Sequence, residues 1–121
     1  MNRIELNKEI ALKWIDAFNE HDLEKLLGLY SDDAIHFSPK LKLREPATKG
    51  GISGKASLHR WWDDAFTRLP ALQYQLKNLI VDDKQVLMEY LRKVPGEDDM
   101  MVAEILEIED EKICRSRVYH G

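Results

Sequence analysis

Apolar side chains recur at helical spacing near the start of the chain. Ile10, Trp14, Ala17 and Phe18 share one face, flanked by Ala11 and Ile15, and Glu9, Lys13, Asp16, Asn19 and Glu20 fill the other. This pattern predicts an amphipathic helix over residues 3–19. Asp22 suits the N-cap of a second helix of about two turns. Leu23, Leu26 and Leu27 form its apolar face, and Gly28 can close it. Asp32 and Asp33 then turn into a strand at residues 34–38. Residues 38–53 contain Pro39, Pro46, Gly50 and Gly51, which predicts a long loop. A third helix starts at Ser53-Gly54 and ends at Leu69-Pro70, with Leu58, Trp61, Trp62, Ala65 and Phe66 on a broad apolar face. Neighbouring helical positions differ by about 100°, so Trp61 and Trp62 diverge, and at least one of them is core.

The period then changes from helical to two. Residues 71–81 read as a strand of mixed character, followed by the turn Asp82-Asp83-Lys84. Val86, Met88 and Tyr90 alternate with Leu87, Glu89 and Leu91. Pro95-Gly96-Glu97-Asp98 is a second turn, residues 100–108 a third long strand, and Asp110-Glu111 a turn into the last strand, 113–119. Turn signals at this spacing describe an antiparallel meander. Helices first and a curved antiparallel sheet second make an α+β plan. One helical layer cannot cover both sides of such a sheet. The half-apolar positions Leu87, Leu91, Ile113 and Tyr119 therefore lead us to expect a homodimer.

Composition narrows the function classes. A chain of 121 residues predicts one domain, 1–121, large enough for a core without staples. No apolar run approaches the roughly 20 residues of a membrane span, and the charged N-terminus does not resemble a signal peptide, so the expectation is a cytoplasmic protein with no membrane partner. The net charge is -4 and the basic residues are scattered, which argues against nucleic acid. The densest basic group, Lys40, Lys42 and Arg44, reads as a solvated loop. Cys114 is the only cysteine, so neither an intrachain disulfide nor a cysteine zinc site can form. His21, His36, His59 and His120 are dispersed, which predicts no metal site.

Three segments resemble the nuclear-transport-factor-2-like superfamily, in particular its ketosteroid-isomerase-like and SnoaL-like branch. TrpIleAspAlaPheAsnGluHisAspLeuGluLysLeu, followed by LeuTyrSerAspAspAla, is similar to the family's opening helix pair and entry to the first strand. SerGlyLysAlaSerLeuHisArgTrpTrp, ending in PheThrArgLeuPro, resembles its helix with paired aromatics. IleGluAspGluLysIleCysArgSerArgValTyr resembles its final hairpin. Together they cover nearly the whole chain in the family's order. The resemblance implies three N-terminal helices packed on a sheet that curls into a cone around an apolar pocket. It also implies a small hydrophobic ligand, no cofactor and a dimer formed through the sheet.

The pocket, not the fold, decides the chemistry. Ketosteroid isomerases place an aspartate base on the first strand just before a proline; here Ser38 precedes Pro39. They place a tyrosine oxyanion donor on the first helix; the match here is Trp14. Their buried neutral aspartic acid on the third long strand corresponds to Glu104. With two of three positions lost, steroid isomerisation by that mechanism is not expected. A different set remains. Residues 34, 36 and 38 share a strand face, as do Met88, Tyr90 and Arg92, and Val102, Glu104 and Leu106. If the register follows the family, His36, Ser38, Tyr90 and Glu104 face one cavity walled by Trp14, Trp62 and Met88. His36 and Glu104 are the expected acid–base pair, with His36 moving the proton and Glu104 or Tyr90 holding an oxyanion. Arg92 stands nearer the rim, able to pair either Glu104 or an anionic group of a substrate. Three readings stay open: an isomerase, cyclase or dehydratase acting on a small apolar carbonyl compound; a non-catalytic ligand-binding module; and a dimeric interaction protein.

Overall fold

Helical propensity and capping set the first layer. In the computed structural model, which describes residues 1–121, α1 spans Arg3–Glu20 and opens on Asn2, whose side chain accepts the Glu5 N–H at 2.9 Å. His21 ends it in the left-handed region at φ 53°. Asp22 accepts the Lys25 N–H and caps α2, Leu23–Gly28. Each such cap contributes about 1 kcal/mol. β1 follows at Tyr30–Phe37, four residues earlier than the hydrophobic pattern placed it.

Residues 38–53 are more regular than a loop. Ser38 accepts the Lys40 N–H and starts a short helix, α3, Pro39–Arg44. A 3₁₀ turn at Pro46–Thr48 and an edge strand, β2, Gly51–Ser53, complete the segment. The prolines that argued for a loop sit at the first position of each helical turn, where no N–H is required. α4, Lys55–Arg68, is the long second helix. Then come β3 Gln73–Val81, β4 Gln85–Lys93, β5 Met100–Glu109 and β6 Lys112–His120.

The six strands form one curved, unclosed sheet in the order β2-β1-β6-β5-β4-β3, with helices packed on one face. β3 to β6 make the antiparallel meander that period-two patterning predicts. β1, however, lies parallel to β6. It enters the sheet from the helical half of the chain, which no local pattern could show.

The inner face carries Val86, Met88, Tyr90 and Arg92 on β4, and Val102, Glu104 and Leu106 on β5, all buried. Trp14, Phe18, Trp62 and Phe66 pack down on them from α1 and α4. Ring centroids lie 4.5 Å apart for Trp14–Phe18 and 4.7 Å for Phe18–Tyr74. Such pairs add about 0.5–1.5 kcal/mol each to the burial of their area. Ile113 belongs to this core and is fully buried, not on the outer face where alternation put it. The reason is an irregularity in the β5–β6 ladder. Glu107 pairs with Arg115 but Ile108 with Ile113, so Cys114 is an extra residue and parity flips there.

Candidate functional site

The sheet's inner face and the two long helices enclose a cavity of about 70 Å³. Of the residues that strand parity and the family resemblance together directed to one cavity, His36, Ser38, Trp62, Tyr90, Arg92 and Glu104 border this one. Trp14 and Met88 do not. Trp14 is buried one layer lower, its indole N–H donated to the Tyr30 hydroxyl at 3.1 Å, and Met88 lies opposite Glu104 with no exposed surface. Both are core.

Glu104 comes from the middle of β5 and is 1% exposed. Tyr90, across the sheet on β4, donates its hydroxyl to Oε1 at 2.8 Å. Oε2 is buried without a hydrogen-bond partner. Desolvation pushes the carboxyl pKa up to about 8, against a smaller opposite pull from the Tyr90 hydrogen bond. Glu104 is thus a neutral acid at pH 7. It has no ion pair with Arg92, whose Nη1 instead meets Glu97 at 2.9 Å on the β4–β5 turn. Nor is it hydrogen-bonded to His36, its expected acid–base partner.

His36 is engaged elsewhere. Its Nδ1 lies 2.6 Å from Ser116 Oγ on β6. Ser116 Oγ accepts the Tyr30 hydroxyl at 3.0 Å, and the Tyr30 oxygen accepts Trp14 Nε1–H. The indole can only donate. Three links therefore hold three protons: the Trp14 N–H, the Tyr30 O–H and the Ser116 O–H. A further proton on Nδ1 would strand a buried hydroxyl proton, at a cost of about 1–3 kcal/mol. The chain of donors fixes the neutral His36 tautomer with its hydrogen on Nε2. Burial, pushing the imidazole pKa down to about 3, favours the same neutral form. His36 therefore offers the cavity a donor, not a base. Neither Tyr30 nor Ser116 was found by sequence reasoning. The signal for Ser116 was its shared parity with Val118 and His120, hidden by the Cys114 irregularity.

The apolar wall is Phe18, Trp61, Trp62, Leu72, Val102 and Val118, and the mouth carries Lys40, Arg68, Arg92 and His120. Lys40 is therefore not simply a loop cation: α3 turns it towards this opening. Asn19 holds the mouth's β3 side by accepting the Tyr74 N–H at 2.7 Å and donating to the Tyr74 carbonyl at 2.9 Å. A wider, open cleft of about 830 Å³ lies between α1 and the turns at Asp83 and Asp110. Its one buried polar side chain, Asn7, is spent on the Asp82 carbonyl, so it offers no poised group. No group of three His, Cys, Asp or Glu side chains is placed to hold a metal ion. No helix is long and apolar enough to cross a membrane.

Comparison with known proteins agrees with this architecture. A SnoaL-like protein of unknown function from Burkholderia thailandensis superposes with a TM-score of 0.84 at 22% identity, covering 97% of this chain and 95% of that one. A proposed ketosteroid isomerase from Kribbella flavida gives 0.82 at 20% identity, covering 100% and 82%. A proposed polyketide cyclase from Sinorhizobium meliloti gives 0.75 at 18%, covering 92% and 94%. At these identities the likeness is one of fold. No curated protein matches the sequence. The model of the SnoaL-like domain matches residues 11–116, nearly the whole chain, and the protein belongs to that family.

Proposed function

We propose that this protein moves a proton beside the carbonyl group of a small, largely apolar compound, as an isomerase or related enzyme. The observation that carries the reading is the unpartnered Oε2 of Glu104, buried against the same cavity as His36. The roles are the reverse of those the sequence suggested. Glu104, with a pKa near working pH, is the group that takes and returns the proton, which is where a general base is most effective. His36, neutral and protonated on Nε2, is the electrophile that holds the enolate oxygen. A neutral imidazole paired with a carboxylate base is an established division of labour in proton transfer next to a carbonyl. Tyr90 steadies the carboxylate through Oε1. Ser38 and Trp62 shape the wall.

The cavity of about 70 Å³ is small beside the roughly 300 Å³ at which drug-sized sites begin. It suits a ring-sized group, with the rest of the compound in the mouth. The same small size, and the neutral state of Glu104 at pH 7, favour the second reading, a binding module without catalysis.

The test is α-proton exchange of acetophenone in D2O, followed by proton NMR at pH 8.5. Saturable acceleration that disappears in Glu104→Gln and weakens in His36→Phe supports the enzyme. Binding without acceleration sinks the enzyme and leaves the module.

A further inference from the structure

Four basic side chains from four separate elements meet at the mouth of the cavity: Lys40 on α3, Arg68 at the end of α4, Arg92 on β4 and His120 on β6. The chain as a whole is acidic, with net charge -4. Yet the only carboxyl group bordering the cavity is Glu104, deep inside. Arg92 is 8% exposed, which is unusual for a guanidinium. Its only ion-pair partner is Glu97, itself mostly exposed on the turn, and that contact uses Nη1 alone. The remaining guanidinium donors of Arg92 make no hydrogen bond within the protein, and the residue borders the cavity. Lys40 is half-buried and makes no ion pair. Arg68 is held by Asp64, outside the mouth.

We infer that the ligand carries a carboxylate group, which Arg92 and Lys40 receive at the mouth while its carbonyl reaches Glu104 and His36. This rests on the reading of the cavity as a carbonyl site and names the class of compound that enters it. The register sets the layout. Glu104 stands opposite Met88 and Arg92 opposite Met100, four residues further along the sheet. That is about 14 Å of strand at ~3.4 Å per residue, shortened by the reach of the Arg92 side chain. The carboxylate and the carbonyl therefore lie on opposite sides of a ring-sized apolar body that Trp61, Trp62 and Val102 contact. An arginine fork takes a carboxylate through two parallel hydrogen bonds, which a point charge cannot do. Glu97 occupies part of that fork in the ligand-free protein and competes with the ligand for it.

The probes are 4-acetylbenzoate and its neutral methyl ester, titrated calorimetrically into the wild-type protein. The acid is expected to bind at least about tenfold more tightly, with an affinity that falls as salt is raised. Arg92→Gln is expected to abolish the preference, Lys40→Gln to reduce it, and Glu97→Gln to increase affinity for the acid alone. Because Arg92→Gln removes a buried side chain, Lys40→Gln and Glu97→Gln, both nearer the surface, keep the test decisive if that variant does not fold. Equal binding of acid and ester by the wild type overturns the inference while sparing the carbonyl site. A preference that survives in all three variants overturns it too. Failure of both probes to bind overturns the inference and the carbonyl site together.

Discussion

Tyr90 donates its hydroxyl to Oε1 of Glu104 across 2.8 Å, and nothing meets Oε2 of the same carboxyl group. The asymmetry follows from the register. Tyr90 pairs with Val102, one inward step from Glu104, so its ring spans that step and its hydroxyl arrives at one oxygen only. The hydrogen bond stabilises the carboxylate and partly offsets desolvation. Tyr90→Phe should therefore raise the Glu104 pKa above about 8 and cost roughly 1–2 kcal/mol of stability. Carboxyl carbon NMR across pH 5–10 measures the first effect. A pKa that stays put or falls means Tyr90 does not set the acid.

The relay from Trp14 to His36 makes a second prediction. Ser116→Ala leaves the Tyr30 O–H without an acceptor and His36 Nδ1 without a donor in a buried site, while the Trp14 N–H still reaches the Tyr30 oxygen. The expected loss is about 1–3 kcal/mol, together with a mixed population of His36 tautomers. Nitrogen NMR of the wild-type imidazole should show a single form with the hydrogen on Nε2. Observing it on Nδ1 in the wild type would break the donor chain at Ser116 and return His36 to the role of base.

Trp14 separates core from pocket. The resemblance matched it to the isomerases' oxyanion donor, yet its N–H is consumed by Tyr30. Trp14→Phe should cost about 1–3 kcal/mol for the lost volume and hydrogen bond, and leave the affinity for 4-acetylbenzoate unchanged. Trp62→Leu should weaken that affinity, since Trp62 borders the cavity. Equal effects of the two on binding would mean the cavity extends to Trp14.

Period-two and period-3.6 patterning depend only on local geometry, so they showed which residues share a face. That the faces of His36, Ser38, Tyr90, Arg92 and Glu104 meet at one cavity came from the family resemblance, not from the pattern. Three features were legible in neither. The parallel pairing of β1 with β6 joins residues far apart in sequence. The extra residue Cys114 flips parity, which misplaced Ile113 and hid Ser116. The partner of Arg92 was also hidden: the sequence offered Glu104 or a substrate anion, while the register sets Glu104 four residues away and the folded turn brings Glu97 to the guanidinium.

The outer sheet face presents the cross-strand pairs Leu87–Ile105 and Leu91–Met101, with Phe37, Ile80 and Tyr119 exposed around them. We propose that a second copy covers this face. Light scattering should then report twice the 14.1 kDa chain mass at micromolar concentration. Ile105→Glu, at the centre of the face, should give a folded monomer. A wild-type monomer sinks the proposal.

Two buried groups give stability an optimum in pH. His36 is depressed from 6.5 to about 3, so the unfolded chain binds the extra proton between those values. Its contribution is complete above pH 6.5 and is lost as the pH falls towards 3. Glu104 is raised from 4.5 to about 8, so here the folded protein binds the extra proton. Its contribution is complete below pH 4.5 and is lost as the pH rises towards 8. At ~1.4 kcal/mol per pH unit each limb spans at most on the order of 5 kcal/mol. Between pH 4.5 and 6.5 the two slopes oppose each other, which leaves a plateau there. Surface carboxylates such as Asp64 and Glu97, lowered by hydrogen bonds to Arg68 and Arg92, add to the acid limb. Differences from the wild type isolate the buried pair. Urea unfolding at intervals from pH 3 to 9 should show Glu104→Gln flattening the alkaline limb and letting the acid slope run on to pH 6.5, and His36→Asn reducing the acid limb and letting the alkaline fall begin near pH 4.5. If Glu104→Gln leaves the fall between pH 6.5 and 8 intact, Glu104 lacks the raised pKa that the proton-transfer reading gives its base.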